Sequence, residues 1–313
     1  MARRKIGQEE LRFAPRESSR QSLLVDLVGL IDWTPLAVEL DGIHSASKGE
    51  PAWPPLALFK ALLLAVWYDL SDVKLAEALD DRASFRRFCG FSSCDVTPER
   101  TAFVRFRKEL VVRGLDKALF DAVTDQLKAR AMTIKTGTMV DATVIASASH
   151  HDGEAKWAAH RTRKAVHGFK AHVGADADTA LVEEVSVTPG NVNDGRAGHG
   201  ALPEDPGLVY ADSAYRGQVF AAAVQAKGGF PRVVQTSVWG RVGDDSLRKL
   251  KSWNYGVQRI RCRIEKIFGT WKRSYGLRRM RWRGLAKATL QVRLTAIAYN
   301  LRRTSNILKA ARA

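Results

Sequence analysis

The residue pattern changes character at Thr136-Gly137, and that change limits the fold more than any other feature of the chain. From residue 51 to 130 apolar residues recur at helical spacing. Beyond the change, β-branched residues crowd into Thr138–Ile145, and strand-like segments follow near Gly168–Gly174, Leu181–Thr188, Leu208–Asp212 and Arg232–Thr236, with a helix over Tyr215–Ala226. Strands first, then alternating helix and strand, predict an α/β (mixed α+β) fold: an all-helical N-terminal domain and a mixed sheet flanked by helices. The boundaries read as an N-terminal segment over 1–50, the helical domain over 51–130, the sheet domain over 136–284 and a C-terminal basic helix over 285–313.

Local signals set the helices. One stretch lies near Ser22–Leu30, followed by an unpatterned loop at Ser45–Glu50. Pro54 and Pro55 start a helix through Leu56, Phe59, Leu63 and Val66, and a second follows Ser71. Thr97-Pro98-Glu99 reads as a cap followed by a first-turn proline, leading into Phe103, Phe106 and Leu110. The turn before it (Cys89–Val96) allows a helix-turn-helix pair with Arg100, Arg105 and Arg107 on the later helix; an ordinary bundle with solvated arginines fits the same pattern.

A 45% hydrophobic composition, with 34 Pro and Gly in 313 residues, excludes a disordered or collagen-like chain. Cys89, Cys94 and Cys262 are too few for a disulfide framework, and none has metal-site spacing. Basic residues at the start precede no apolar stretch, and the run Leu56–Tyr68 is interrupted by Lys60 and too short for a bilayer, so the chain is expected to be soluble and intracellular. Charge is distributed unevenly. From Ser246 to Ala313 there are nineteen Lys and Arg against one acid, Glu265, whereas the remaining 245 residues hold thirty-one basic and thirty-two acidic side chains. Such a segment attracts a polyanion, and its aromatic residues (Trp253, Phe268, Trp271, Tyr275, Trp282) indicate that it folds.

Three acids stand out. Asp141 sits inside an apolar strand, where a carboxylate is costly unless paired, protonated or metal-bound. Asp212 ends another buried strand, a position where open α/β sheets collect ligands. On a continuous helix, Arg261, Glu265 and Lys272 fall within roughly 40° of one another, beside an apolar stripe of Ile260, Ile264, Ile267 and Trp271. A surface ion pair would explain the Arg261–Glu265 spacing but not why one acid stands in so basic a field. Two aspartates and a glutamate suit hard divalent cations, and two Mg²⁺ about 3.5–4 Å apart can activate an attacking oxygen and stabilise a leaving one. Arg261 and Lys272 would then hold the phosphodiester backbone.

These residues resemble the DDE transposases of bacterial insertion sequences, closest to the insertion sequence 5 family. Met139-Val-Asp-Ala-Thr-Val144 looks like the segment of the first catalytic aspartate, and Ala211-Asp-Ser-Ala-Tyr-Arg-Gly217 is similar to the second. The family's Tyr-(2)-Arg-(3)-Glu-(6)-Lys signature maps Arg261, Glu265 and Lys272; its first position is Gln258 here, with Tyr255 one helical turn earlier. His167-Gly-Phe-Lys-Ala-His172 and Arg278-Arg-Met-Arg-Trp-Arg-Gly-Leu-Ala286 also look like family segments, and the helical stretch from Pro51 resembles the domain preceding the family's catalytic core. The resemblance implies a ribonuclease H-like core with Asp141, Asp212 and Glu265 as catalytic metal ligands, and Mg²⁺ as cofactor with Mn²⁺ substituting. It also implies cleavage at terminal inverted repeats and strand transfer into double-stranded target DNA. A homo-oligomer, as a dimer on paired ends, would act in the bacterial cytoplasm at the nucleoid. Candidate DNA contacts are Arg261, Lys272, Arg278, Arg279, Arg281, Arg283, Arg105, Arg107, His167 and Lys170. Only 52 residues separate Asp212 from Glu265, too few for a large inserted β domain. A catalytically idle DNA-binding derivative and a nuclease without strand transfer are the alternatives. His150, His151 and His160, near His167 and His172, have no trusted zinc spacing and read instead as a polar loop.

Overall fold

The computed structural model describes residues 23–43, 51–131, 134–159, 164–236 and 243–312, so the loop at Ser45–Glu50 and His160 lie outside the described residues. The chain divides into two compact units. One takes the described residues up to Arg130 together with those from Arg293 onward, and the other takes those from Ala131 to Val292. Among the described residues, no helix is long and apolar enough to cross a membrane.

The helical unit contains α1 (Leu23–Val28), α2 (Thr34–Asp41), α3 (Pro55–Trp67), α4 (Asp72–Asp81), α5 (Ala83–Cys89), α6 (Arg100–Val112) and α7 (Leu115–Ala131). Pro55 occupies the first turn of α3, where its missing N–H costs nothing, and the helix is buried nearly all round, from Ala57 through Leu64 apart from Lys60. Ser71 caps α4 by accepting from the Lys74 amide. Gly90 ends α5 with φ of 91°, a left-handed conformation that glycine adopts without penalty. Thr97 is not the cap that the sequence suggested. Its hydroxyl donates to Asp80, and α6 begins three residues later at Arg100 with no side-chain cap.

The sheet unit contributes β1 (Gly137–Ala146), β2 (Lys156–Ala158), β3 (Val166–Asp176), β4 (Val182–Pro189), the short α8 (Asp194–Ala197), β5 (Leu208–Ala211), α9 (Gln218–Ala226), β6 (Phe230–Val233), α10 (Asp244–Arg261) and α11 (Ile264–Ser274). β3 pairs antiparallel with β1 on one side and with β4 and β2 on the other, while β1, β5 and β6 run parallel. Val140, Val209, Ala211 and Val233 pack on Phe220 and Val224 of α9, forming the core of one sheet face. β2 had no counterpart in the sequence reading, being three residues long and exposed at Lys156 and Trp157. The last strand lies two residues earlier than expected, and Tyr215 belongs to a 3-10 turn (Ser213–Tyr215) rather than to α9.

The last helix, α12 (Leu285–Ala310), begins in the sheet unit and continues into the helical unit. In the helical unit its apolar side joins the core. Leu294, Ile297, Ala298 and Leu301 are buried, Arg293 pairs with Asp116 at 2.6 Å, and the Trp67 indole donates to the Ala298 carbonyl.

Candidate active site

Register brings two of the three acids together. Val140 lies beside Ala211 in the parallel β1–β5 pair, so Asp141 and Asp212 are the next positions along neighbouring strands. Because side chains alternate across a strand, both project away from the face that Val140 and Ala211 bury against α9. β5 stops at Ala211 while β1 continues to Ala146, which leaves Asp141 beside the open end of its neighbour. Asp212 is held locally: its Oδ1 accepts from the Ala214 amide at 2.9 Å, capping the 3-10 turn.

The third acid arrives on a helix whose shape the sequence misread. α10 ends at Arg261 and α11 begins at Ile264, so the expected continuous helix is broken at Cys262 and Arg263. The stripe survives the break, with Ile264, Ile267 and Trp271 fully buried and α11 packed on β1. Arg261 then reaches across, donating to Asp141 Oδ2 at 2.6 Å and to Glu265 Oε1 at 3.4 Å. Asp141 Oδ1 accepts from the Ala142 amide at 2.8 Å. Burial pushes the Asp141 carboxyl up to about 6, against the pull of Arg261 and the Ala142 amide, with Asp212 and Asp194 adding to the rise.

The last of these acids lies between β4 and β5. Asp194 opens α8 and pairs with Lys170 at 2.8 Å. A side chain on the next residue, Gly195, would meet the Ala214 carbonyl at 2.7 Å, so the Asp194 loop packs directly on the turn that carries Asp212. Burial, and after it Asp141, Asp194 and Asp212, raise the Tyr215 phenol well above its ordinary range. No periodic signal marks Asp194, since its role depends on a contact that two loops make in space.

Two adjacent carboxylates, one of them buried at an electrostatic cost, fit a divalent cation. Glu265 does not complete such a group here. Its side chain is 64% exposed and turned to Arg261, and among the described residues no three of His, Cys, Asp and Glu are grouped to hold a metal.

The other expected contacts divide. Arg105, Arg278 and Arg283 are exposed, and Lys272 and Arg281 are half-buried. Arg107 is not available to DNA, because it is buried and forks onto both oxygens of Asp72 at 2.7 and 2.6 Å. Lys170 is likewise engaged internally, with Asp194 and the Val192 carbonyl. Arg279 donates to the carbonyls of Ser147 and Ala148, fixing the segment after β1. His167 is half-buried among aromatic rings.

A mixed sheet with an acid pair beyond the end of a parallel strand is a setting that suits a divalent cation. Residues 133–301 match the Transposase DDE domain family, and residues 12–109 match a second family, Transposase domain (DUF772). The first match spans more than half of the chain, which belongs to the Transposase DDE domain family. A ribonuclease H-like core, DNA as binding partner and a requirement for divalent metal ions come with that family. No solved structure matches the chain.

Proposed function

We propose that this transposase cleaves phosphodiester bonds at the terminal inverted repeats of its own element and joins the released 3′-hydroxyl ends to target DNA, in the manner of the insertion sequence 5 family. The observation that carries the reading is the side-by-side placement of Asp141 and Asp212 beside Arg261 and Glu265. Asp141 and Asp212 would hold Mg²⁺, with Mn²⁺ substituting, and Glu265 would join them as the third ligand only on turning away from Arg261. Bound there, the metal would polarise the phosphate and lower the pKa of the attacking oxygen.

The protein's own groups do the rest. Asp141 and Asp212 concentrate negative charge where a cation compensates it, and the Ala214 and Ala142 amides keep their carboxylates oriented. Arg261 balances Asp141 until metal is present, and with Lys272 it would then hold the backbone beside the reacting phosphate. Exposed Arg278, Arg283 and Arg105 suit the flanking duplex, which fixes register rather than sequence. The helical domain, the sheet domain and a homodimer on paired ends are the working units of this reading, in the bacterial cytoplasm at the nucleoid.

The test is nicking of supercoiled plasmid and joining of matched ends in Mg²⁺, Mn²⁺ or EDTA. Asp141→Ala, Asp212→Ala and Glu265→Gln are each expected to lose at least roughly a thousandfold in rate, as removal of an essential metal ligand does. Joining that survives Asp141→Ala would remove the acid pair from the chemistry.

A further inference from the structure

Away from the acid pair, the sheet unit carries an aromatic cluster that its core does not use. Trp157 on the short edge strand β2 stands in register with His167 on β3, their ring centroids 5.4 Å apart. His150, from the turn after β1, lies nearly parallel to the Trp157 ring (24°) at 6.5 Å and sits 6.1 Å from His167. Trp157 is 58% exposed, so a large flat indole face is presented to solvent.

The cluster is held by a web of bonds rather than left to a loose loop. The Ser147 amide donates to the His167 carbonyl, and the Ser147 hydroxyl donates to Asp152. Asp152 also accepts from the Gly284 amide, and Glu154 accepts from the Leu285 amide. Arg279 grips the carbonyls of Ser147 and Ala148, while the Met280 amide donates to the Ala146 carbonyl. Those bonds lay the segment of exposed Arg278 and Arg283 alongside the loop that carries His150, while Lys156, on the opposite face of β2 from Trp157, donates to the Gly153 carbonyl. Flat aromatic rings near exposed cations are the elements of an unpaired-strand site, where each base offers a π-face and each phosphate a charge.

Position along the strands relates this cluster to the acids. Asp141 pairs with Val173, and His167 lies six residues further along β3, on the same face by alternation. At about 3.3 Å per residue the separation is roughly 20 Å, a few nucleotides of DNA.

We propose that Trp157, flanked by His150 and His167, is a stacking site for a nucleobase released from its pair in the DNA that this transposase handles, with Arg278 and Arg283 holding the adjoining phosphates. The site deepens the proposed reaction by naming where the strand beside the cleaved bond is held. Binding without metal tests it separately from cleavage.

The experiment uses the full chain in EDTA, with fluorescence anisotropy of a labelled oligo-dT strand and of a blunt duplex, and circular dichroism to verify folding of each variant. Trp157→Ala is expected to weaken oligo-dT binding about 5- to 100-fold while changing duplex affinity less than about twofold. Trp157→Phe keeps a ring and should retain most of the affinity. The proposal is overturned if the wild-type chain does not bind oligo-dT, if Trp157→Ala lowers both affinities alike or neither, or if Trp157→Phe is as weak as Trp157→Ala. A wild-type chain that nicks nothing but shows the expected binding pattern would sink the cleavage reading and leave the stacking site standing.

Discussion

Arg107 in the helical unit and Arg261 in the sheet unit each donate to an aspartate oxygen at 2.6 Å. Arg107 places two nitrogens on the two oxygens of Asp72, a closed fork in which each group answers the other. Arg261 meets only one oxygen of Asp141, stretches to Glu265 at 3.4 Å, and has a buried Nε with no partner among the described residues. Asp141 is meanwhile pushed up to about 6, by burial first and by Asp212 and Asp194 in addition. A closed pair stabilises a fold. An under-satisfied cation among crowded acids leaves room for another cation to replace it, which suits a site that must exchange partners.

The largest stability effect should come from opening the closed pair. Asp72→Ala strands a buried guanidinium and is expected to cost about 3–5 kcal/mol in urea unfolding, whereas the paired replacement Arg107→Met with Asp72→Leu should recover most of it. A cost of Asp72→Ala below about 1 kcal/mol would mean that this fork is no more structural than an exposed pair.

A smaller effect belongs to His172, fully buried on the sheet with Nε2 2.9 Å from the Thr188 hydroxyl. Burial lowers its imidazole to about 4, against the pull of Asp194 and with help from Lys170 and His199. Above its ordinary pKa of about 6.5 the ring is neutral in both states and its contribution is fully present. As pH falls from about 6.5 toward 4, the unfolded chain takes up a proton that the folded chain refuses, and stability drops by up to about 3 kcal/mol. Denaturant midpoints across that window should show the loss, and His172→Gln should flatten it. An acid limb unchanged by the substitution would assign the loss to other groups.

The smallest stability effect is expected at the open pair. Arg261→Gln should change unfolding free energy by less than about 1 kcal/mol in EDTA, because Asp141 can take a proton in place of its partner. End joining should nevertheless fall at least roughly tenfold, as for a lost phosphate contact. If Arg261→Gln proves as destabilising as Asp72→Ala, the distinction between the two arginines collapses.

Much of this architecture is visible in local patterning. Crowded β-branched residues mark β1, proline and Ser71 mark the starts of α3 and α4, and the Ile264, Ile267 and Trp271 stripe survives even though its helix is interrupted. An isolated acid in an apolar strand and another at a strand end are equally plain in sequence, because burying a carboxylate is costly wherever it occurs. Pattern fails where the outcome depends on a distant partner. A helical wheel puts Arg107 on the side of Phe103 and Leu110 and Arg105 opposite, but the partner that Arg107 meets there, Asp72, lies 35 residues away. Lys170 has the composition of a phosphate contact and is spoken for by Asp194.

Periodicity and composition are properties of neighbours along the chain, and they decide most of the longer helices and strands, though not the short β2 or the break before α11. Only the folded chain decides pairings across long separations. It aligns Val140 with Ala211, brings Arg261 to an aspartate 120 residues away, lays the Asp194 loop on the Asp212 turn and sets α12 into the helical core. Each depends on backbone register and close packing between segments, and the free energy of those contacts belongs to no single stretch of sequence.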